Sequence, residues 1–199
     1  MKGTDFYFIV IAVIAVLFMG CQLDNSINGN GNITSTERTA AGFTGITLEG
    51  AGNINVHFSE NFKVVVTTDS NIQDIVTLEA KNNILYVDEK RWYGINPTKL
   101  IIDVYLPELE NITLKGAGNI KIDAGNASTL SLILSGAGNI EAKNYEVKNV
   151  NAILSGTGDI EIWVTGNLSG NISGVGNIYY KGNPAKKVKI TGVGNIKSL

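Results

Sequence analysis

One histidine, one cysteine and a few clustered carboxylates are all this chain offers for acid–base, nucleophilic or metal chemistry. A Ser-His-Asp relay would have to use His57, but no Gly-x-Ser-x-Gly elbow accompanies it, and no second histidine could complete a metal site. Strand parity points His57 outward, so an ordinary surface histidine is the simpler reading. The best carboxylate cluster is Glu141, Asp159 and Glu161. Glu141 and Glu161 hold the same place in segments 20 residues apart, which would stack them about 5 Å from each other. Lys121 or Lys143 could offset their repulsion. Three readings remain open: a solvated charged face, a weak calcium site with Asp159, or catalytic carboxylates of the glycosidase type. Calcium asks for roughly six to eight oxygens, more than this cluster supplies. Trp163 and Tyr179 also face outward on consecutive segments, with Trp92 and Tyr93 in an intervening loop. Exposed aromatics can stack on sugar rings or anchor a protein partner; packing against a neighbouring loop is the plainer alternative.

The elements that carry these residues are set by a repeat. Gly-x-Gly-Asn-Ile or a close relative occurs six times, beginning at Gly50, Gly116, Gly136, Gly156, Gly174 and Gly192. The last five copies are spaced 20, 20, 18 and 18 residues apart. Two residues before each first glycine stands Leu or Ile, four after it always Ile, and apolar residues fall at alternate positions on both sides. Alternation means strands with one buried face, and a fixed period means stacked units. The spacing predicts an all-β fold, a parallel β-solenoid of 18–20-residue coils in which like residues lie about 4.8 Å apart along the axis.

In that fold the motif is a corner. Its glycines permit backbone angles that other residues resist, and its asparagines stack into an amide ladder. The ladder comprises Asn53, Asn119, Asn139, Asp159, Asn177 and Asn195. The regular coils run over 114–199. An irregular portion covers 43–113, with strands expected at Phe62–Thr68, Ile84–Asp88 and Leu100–Leu106, a short helix or loop at Asn71–Ala80, and an exposed loop at Lys90–Thr98. The last coil ends without a capping element, which predicts association of copies through that end or its cover by the N-terminal segment.

The N-terminus is a separate object. Phe6–Gly20 is an almost unbroken apolar run, short for a membrane span and suited to a signal-peptide core. It ends in Leu17-Phe18-Met19-Gly20-Cys21, which resembles a lipobox. Cys21 is then the lipidated first residue of the mature chain, and residues 21–42 form a lipid-anchored tether. A sole cysteine rules out an internal disulfide and a cysteine metal cluster. Net charge is −2, so there is no basic field for nucleic acid. The 23 glycines among 199 residues accompany 44% patterned hydrophobic residues, so they mark tight corners and not disorder.

The segment Asp103–Ile120, "DVYLPELENITLKGAGNI", and the serial motifs resemble the bacterial head GIN domain family, over roughly Phe43 to Ile196. The resemblance implies an exported β-solenoid, often on a lipoprotein, with an auto-transporter adhesin description and no catalytic residues to carry over. Asp159 in place of Asn departs from the pattern. The expectation is a non-catalytic module of the bacterial cell envelope, held at the outer membrane by its lipid and recognising glycan or protein through Glu141, Glu161, Trp163 and Tyr179. No cofactor or metal is implied. An envelope scaffold or stress-associated periplasmic protein is the second reading, and a carbohydrate-active enzyme the third.

Overall fold

A computed structural model describes residues 26–90 and 94–199. The alternating apolar residues do form strands, and among the described residues there is no helix. In chain order they are β1 (Ile27–Asn28), β2 (Ile33–Arg38), β3 (Gly45–Leu48), β4 (Asn53–Phe58), β5 (Lys63–Asp69) and β6 (Val76–Lys81). There follow β7 (Ile84–Glu89), β8 (Ile95–Asn96), β9 (Leu100–Leu106), β10 (Asn111–Leu114), β11 (Ala117–Ile122) and β12 (Gly125–Leu134). The last are β13 (Ala137–Leu154), β14 (Ile160–Ile172), β15 (Ile178–Lys181), β16 (Ala185–Ile190) and β17 (Ile196–Ser198). Fifteen of them make one curled sheet; β1 and β8 pair separately.

Two flanks of that sheet share the long strands β13 and β14, which bend from one flank to the next. On the first flank β9, β4, β11, β13, β14, β15 and β17 pair in parallel. Their register sets Ile102, Ile54, Ile120, Ile140, Ile160, Ile178 and Ile196 in one column. On the second flank β7, β3, β10, β12, β13, β14 and β16 do the same, aligning Val87, Leu48, Leu114, Leu134, Leu154, Ile172 and Ile190. The columns face each other across an apolar core in which most members are fully buried. Each buried Leu or Ile contributes roughly 1.5–3 kcal/mol. The change from 20- to 18-residue spacing is absorbed by register shifts between Ala142 and Glu146 and between Val147 and Asn149, where Tyr145 turns into the core.

The sheet is mixed, which corrects the expectation of a parallel β-solenoid. Pairs β2–β5, β5–β9 and β6–β7 are antiparallel. Residues 59–99 lack the glycine corner: β6 and β7 reverse in a hairpin, and β5 lies between β2 and β9, antiparallel to both. Asn82 and Asn83 make the hairpin turn, at φ 50° and 62°, the left-handed geometry that two-residue hairpins favour. Asn71–Ala80 is a turn leading into β6, with no helix. The two outermost strands of the curl, β2 and β6, are tied where they meet. Arg38 of β2 donates to Val76 O at 2.8 Å and to Gln73 O, while Gln73 Nε2 reaches Thr34 O and Val66 O at 2.9 and 3.0 Å.

The segment 21–42 is also more than a tether. β2 belongs to the sheet, Ile27 and Asn28 pair with β8, and Gly31 is pinned by Asp69. Its buried carboxylate accepts from Gly31 N at 2.7 Å, Thr98 N at 2.8 Å and Thr98 Oγ1 at 2.8 Å. Burial acts to raise its pKa, but these donors outweigh that and hold it below the ordinary carboxylate value.

The corners explain their letters differently for each glycine. The second glycine of every copy has positive φ, from 129° at Gly52 to 154° at Gly194. The first does not. It is glycine because a Cβ on Gly136 would lie 2.0 Å from Gly116 O of the preceding coil. The second is under the same constraint: a Cβ on Gly138 would lie 1.7 Å from Gly118 O. Close backbone approach is therefore common to both positions. The asparagine that follows serves backbone N–H groups of the next coil. Asn53 Oδ1 accepts from Asn119 N at 3.0 Å and Asn119 Nδ2 at 3.1 Å; Asn119 Oδ1 accepts likewise from Asn139 at 3.1 and 3.0 Å. Asp159 N donates to Asn139 Oδ1 at 2.9 Å, Asn177 N and Nδ2 to Asp159 Oδ1 at 2.6 and 3.1 Å, and Asn195 N to Asn177 Oδ1 at 3.1 Å.

Candidate functional site

Because equivalent residues stack, outward side chains form columns too. One column on the first flank runs Asp103, Asn55, Lys121, Glu141, Glu161, Tyr179 and Lys197. Glu141 and Glu161 are direct register partners. Lys143, from the bulge after Ala142, places Nζ 2.7 Å from Glu161 Oε2, so it, and not Lys121, takes up that charge. The bond to Glu161 raises the Lys143 pKa.

Trp163 and Tyr179 are not register partners. Trp163 pairs with Lys181 and Tyr179 with Glu161 and Lys197. Lys181 Nζ sits 3.7 Å above the Trp163 ring centroid and Lys197 Nζ 5.2 Å from that of Tyr179, within cation–π range. Each half-buried ring is thus partly covered by an ammonium. Trp92 and Tyr93 lie outside the described residues, as does Cys21 with the whole proposed signal segment.

His57 is far from the isolated surface residue that its sequence suggests. Its Nδ1 lies 2.7 Å from Asp123 Oδ2 and its Nε2 3.2 Å from Asp103 Oδ1. The ring stacks on Tyr105 at 4.6 Å, and Lys63 approaches the far side of that system, 5.6 Å from the Tyr105 centroid. Asn55 Nδ2 donates to the same Asp103 oxygen at 2.9 Å. Partial burial pulls the imidazole pKa down, but the bonds and charges of the two aspartates pull it up further, and the net shift is upward from 6.5. The arrangement suits an imidazolium bridging two carboxylates. Asp123 was legible in principle: it stands seven residues after Gly116, as His57 stands seven after Gly50. Asp103 was not, since no motif fixes the register of β9.

Two concavities adjoin on the second flank. A cleft of about 320 Å³ is bounded by Glu108, Leu109, Glu110, Asn126 and Tyr145, among others. Tyr145 donates to Leu109 O at 3.3 Å and stacks on Phe58 at 4.9 Å; burial pushes its pKa up to about 12. A shallower groove of about 510 Å³ crosses β10, β12, β13 and β14 and shares Glu110 and Thr129 with the cleft. Among the described residues no group of three or more His, Cys, Asp or Glu side chains is placed to hold a metal ion.

Two stretches, residues 42–124 and 116–184, match the family described as "Putative auto-transporter adhesin, head GIN domain". The chain belongs to that family. The two matches of the head GIN domain overlap on the second copy of the glycine motif, so the family profile spans both the mixed part and the regular coils. No protein of curated function matches the chain. Among solved structures, a "putative adhesin" from Bacteroides fragilis NCTC 9343 superposes with a TM-score of 0.60 at 24% identity, covering 87% of this chain and 100% of that one. That likeness concerns the fold. A "putative adhesin" from Parabacteroides merdae ATCC 43184 gives 0.41 at 22% identity, over 88% of this chain and 99% of that one. A "putative cell adhesion protein" from Clostridium sporogenes ATCC 15579 gives 0.46 at 15%, over 84% and 100%.

Proposed function

We propose that this head GIN protein is a non-catalytic adhesion or recognition module of the bacterial cell envelope. In this reading it is a parallel β-solenoid in its regular part, anchored by a lipid on Cys21, and it engages glycan or protein through its outer strand faces. One observation carries the reading. Outward side chains keep constant register from coil to coil, so the fold presents rigid columns about 4.8 Å apart and little that must move. Such a wall is preorganised for a long, repetitive ligand and loses little entropy on binding. The family description and the adhesin names of its structural relatives support the same direction. The Lys-capped Trp163 and Tyr179 and the paired Glu141 and Glu161 fit surface contacts better than chemistry, since each charge already has a neighbour of opposite sign or an aromatic face beside it.

An envelope scaffold is the second reading, favoured by the open end of the sheet, where β16 is exposed along its length and Val188, Ile190 and Val193 face solvent. Association of copies there would bury these residues. The test is adhesion of intact cells to glycan- and protein-coated surfaces. Removing the protein lowers adhesion, the full chain restores it, and Cys21→Ser does not. Unchanged adhesion, with crosslinks to other envelope proteins lost on removing residues 185–199, transfers the role to the scaffold reading.

A further inference from the structure

We infer that the groove on the second flank is a binding site for an uncharged, extended glycan laid across the coils. This rests on the recognition reading above and moves it away from Trp163 and Tyr179.

The groove is lined by residues 110–111, 129–131, 149–151, 167 and 169, on strands stacked in parallel register. Glu110, at one end, is the lining's single charged member, although 17% of the chain is charged and a well-solvated surface carries roughly 25–35%. Charge appears only at the two ends: Glu110 beside the cleft, and Lys187 and Lys189 on β16, in register with Ser169 and Asn171. The inward members are apolar and buried. The outward members are almost all amides and hydroxyls. Among the described residues the side chains of Asn111, Ser131, Asn151 and Ser169 have no hydrogen-bond partner, so their donors and acceptors are free for a ligand. Beside the Ser131–Asn151–Ser169 column runs a half-exposed apolar pair, Ile133 and Ile153, also in register.

The chemistry selects the occupant. A strand-adding peptide needs a free backbone edge, but β12, β13 and β14 are each paired on both sides. Nucleic acid and anionic lipid need cations, which the face lacks. A protein hot spot needs aromatic or arginine anchors, also missing. A pyranose chain offers what fits: C–H faces for the isoleucine pair and hydroxyls at its rims for neutral amides and hydroxyls. Repeating rings match a repeating wall. At the cleft end Glu108 and Glu110 can each accept from sugar hydroxyls, though Glu110 already accepts from Thr44 Oγ1 at 2.9 Å.

The test titrates the full-length protein with neutral hexasaccharides of β-1,4-glucose, α-1,4-glucose and β-1,4-N-acetylglucosamine, and with an α-1,4-galacturonate hexamer. The expected result is binding of a neutral hexamer that weakens about 5- to 10-fold in Asn151→Ala, as one lost net hydrogen bond would give. Ser131→Arg, which fills the groove, abolishes it, while Trp163→Ala stays within about twofold. Ser169→Ala is the second groove variant should Asn151→Ala not retain the wild-type melting temperature. The inference is overturned if no neutral hexamer binds, if only the galacturonate binds, or if Trp163→Ala abolishes binding that the groove variants leave intact. Binding of the galacturonate alone leaves glycan recognition standing and refutes the neutral class, and dependence on Trp163 refutes the place; cell adhesion unchanged on removing the protein would refute recognition itself.

Discussion

Replacing either glycine of a corner with alanine separates two explanations of the motif. If the motif exists for its backbone angles, only the second glycine matters. If it exists for close approach between coils, both do. In Gly136→Ala the new methyl would stand 2.0 Å from Gly116 O and 2.3 Å from Lys115 O, at a residue outside the positive-φ set. Normal contact is well over an ångström longer, so the coils must part locally. Four bonds lie in the way: Ser135 N and Gly136 N to Leu114 O, each at 2.9 Å, Ala137 N to Gly116 O at 3.0 Å, and Asn139 N to Asn119 Oδ1 at 3.1 Å. At about 1 kcal/mol net each, Gly136→Ala costs about 3–4 kcal/mol. Gly138→Ala, at φ 133°, adds about 1–2 kcal/mol of backbone strain. Gly42 is the control: φ is 75°, but nothing lies within 4 Å of a Cβ there, so Gly42→Ala costs only the strain, about 1–2 kcal/mol. Urea unfolding followed by circular dichroism measures all three. The reasoning is refuted if Gly136→Ala is no more destabilising than Gly42→Ala.

Four further outcomes follow from the same contacts. Asn139→Ala removes its bonds to Asp159 N and Asn119 Oδ1 and costs about 1–2 kcal/mol in urea unfolding, whereas Asn139→Asp, which keeps the acceptor, costs less. Because the folded pKa of His57 is raised, its stabilisation is complete below the unfolded value of about 6.5 and is lost as pH rises through the folded value; the melting temperature should fall over that window, and His57→Gln should remove the step. Arg38→Met leaves Val76 O and Gln73 O without their donor and should speed hydrogen exchange in β2 and β6 before the regular coils, read by mass spectrometry. Tyr145 should resist ionisation until about pH 12, read from the phenolate absorbance band.

What the sequence made legible depended on periodicity. Ile54, Ile120, Ile140, Ile160, Ile178 and Ile196 share one offset, and that offset is a column of the core. Phe62–Thr68, Ile84–Asp88 and Leu100–Leu106 could be read as strands from alternation, but nothing local said whether they would pair parallel or antiparallel. Hence the antiparallel pairs that make the sheet mixed were missed, as was β2, whose Ile33–Arg38 carries only one large apolar residue. The His57 site shows the same limit. It depends on partners 46 and 66 residues away, brought together by stacking and not by spacing. Trp163 and Tyr179 share an outward parity but stand at different distances from their glycine corners, so the register sets each beside a lysine and not beside the other. The nearly uncharged groove was readable only after register was known, because its four segments are unremarkable one at a time and distinctive as a stack.

The most direct test of the adhesion account is protease treatment of intact cells carrying the full chain with an epitope in the Asn82–Asn83 turn. The account predicts that the epitope is lost while a periplasmic control protein survives. An epitope that persists until the outer membrane is opened would contradict it.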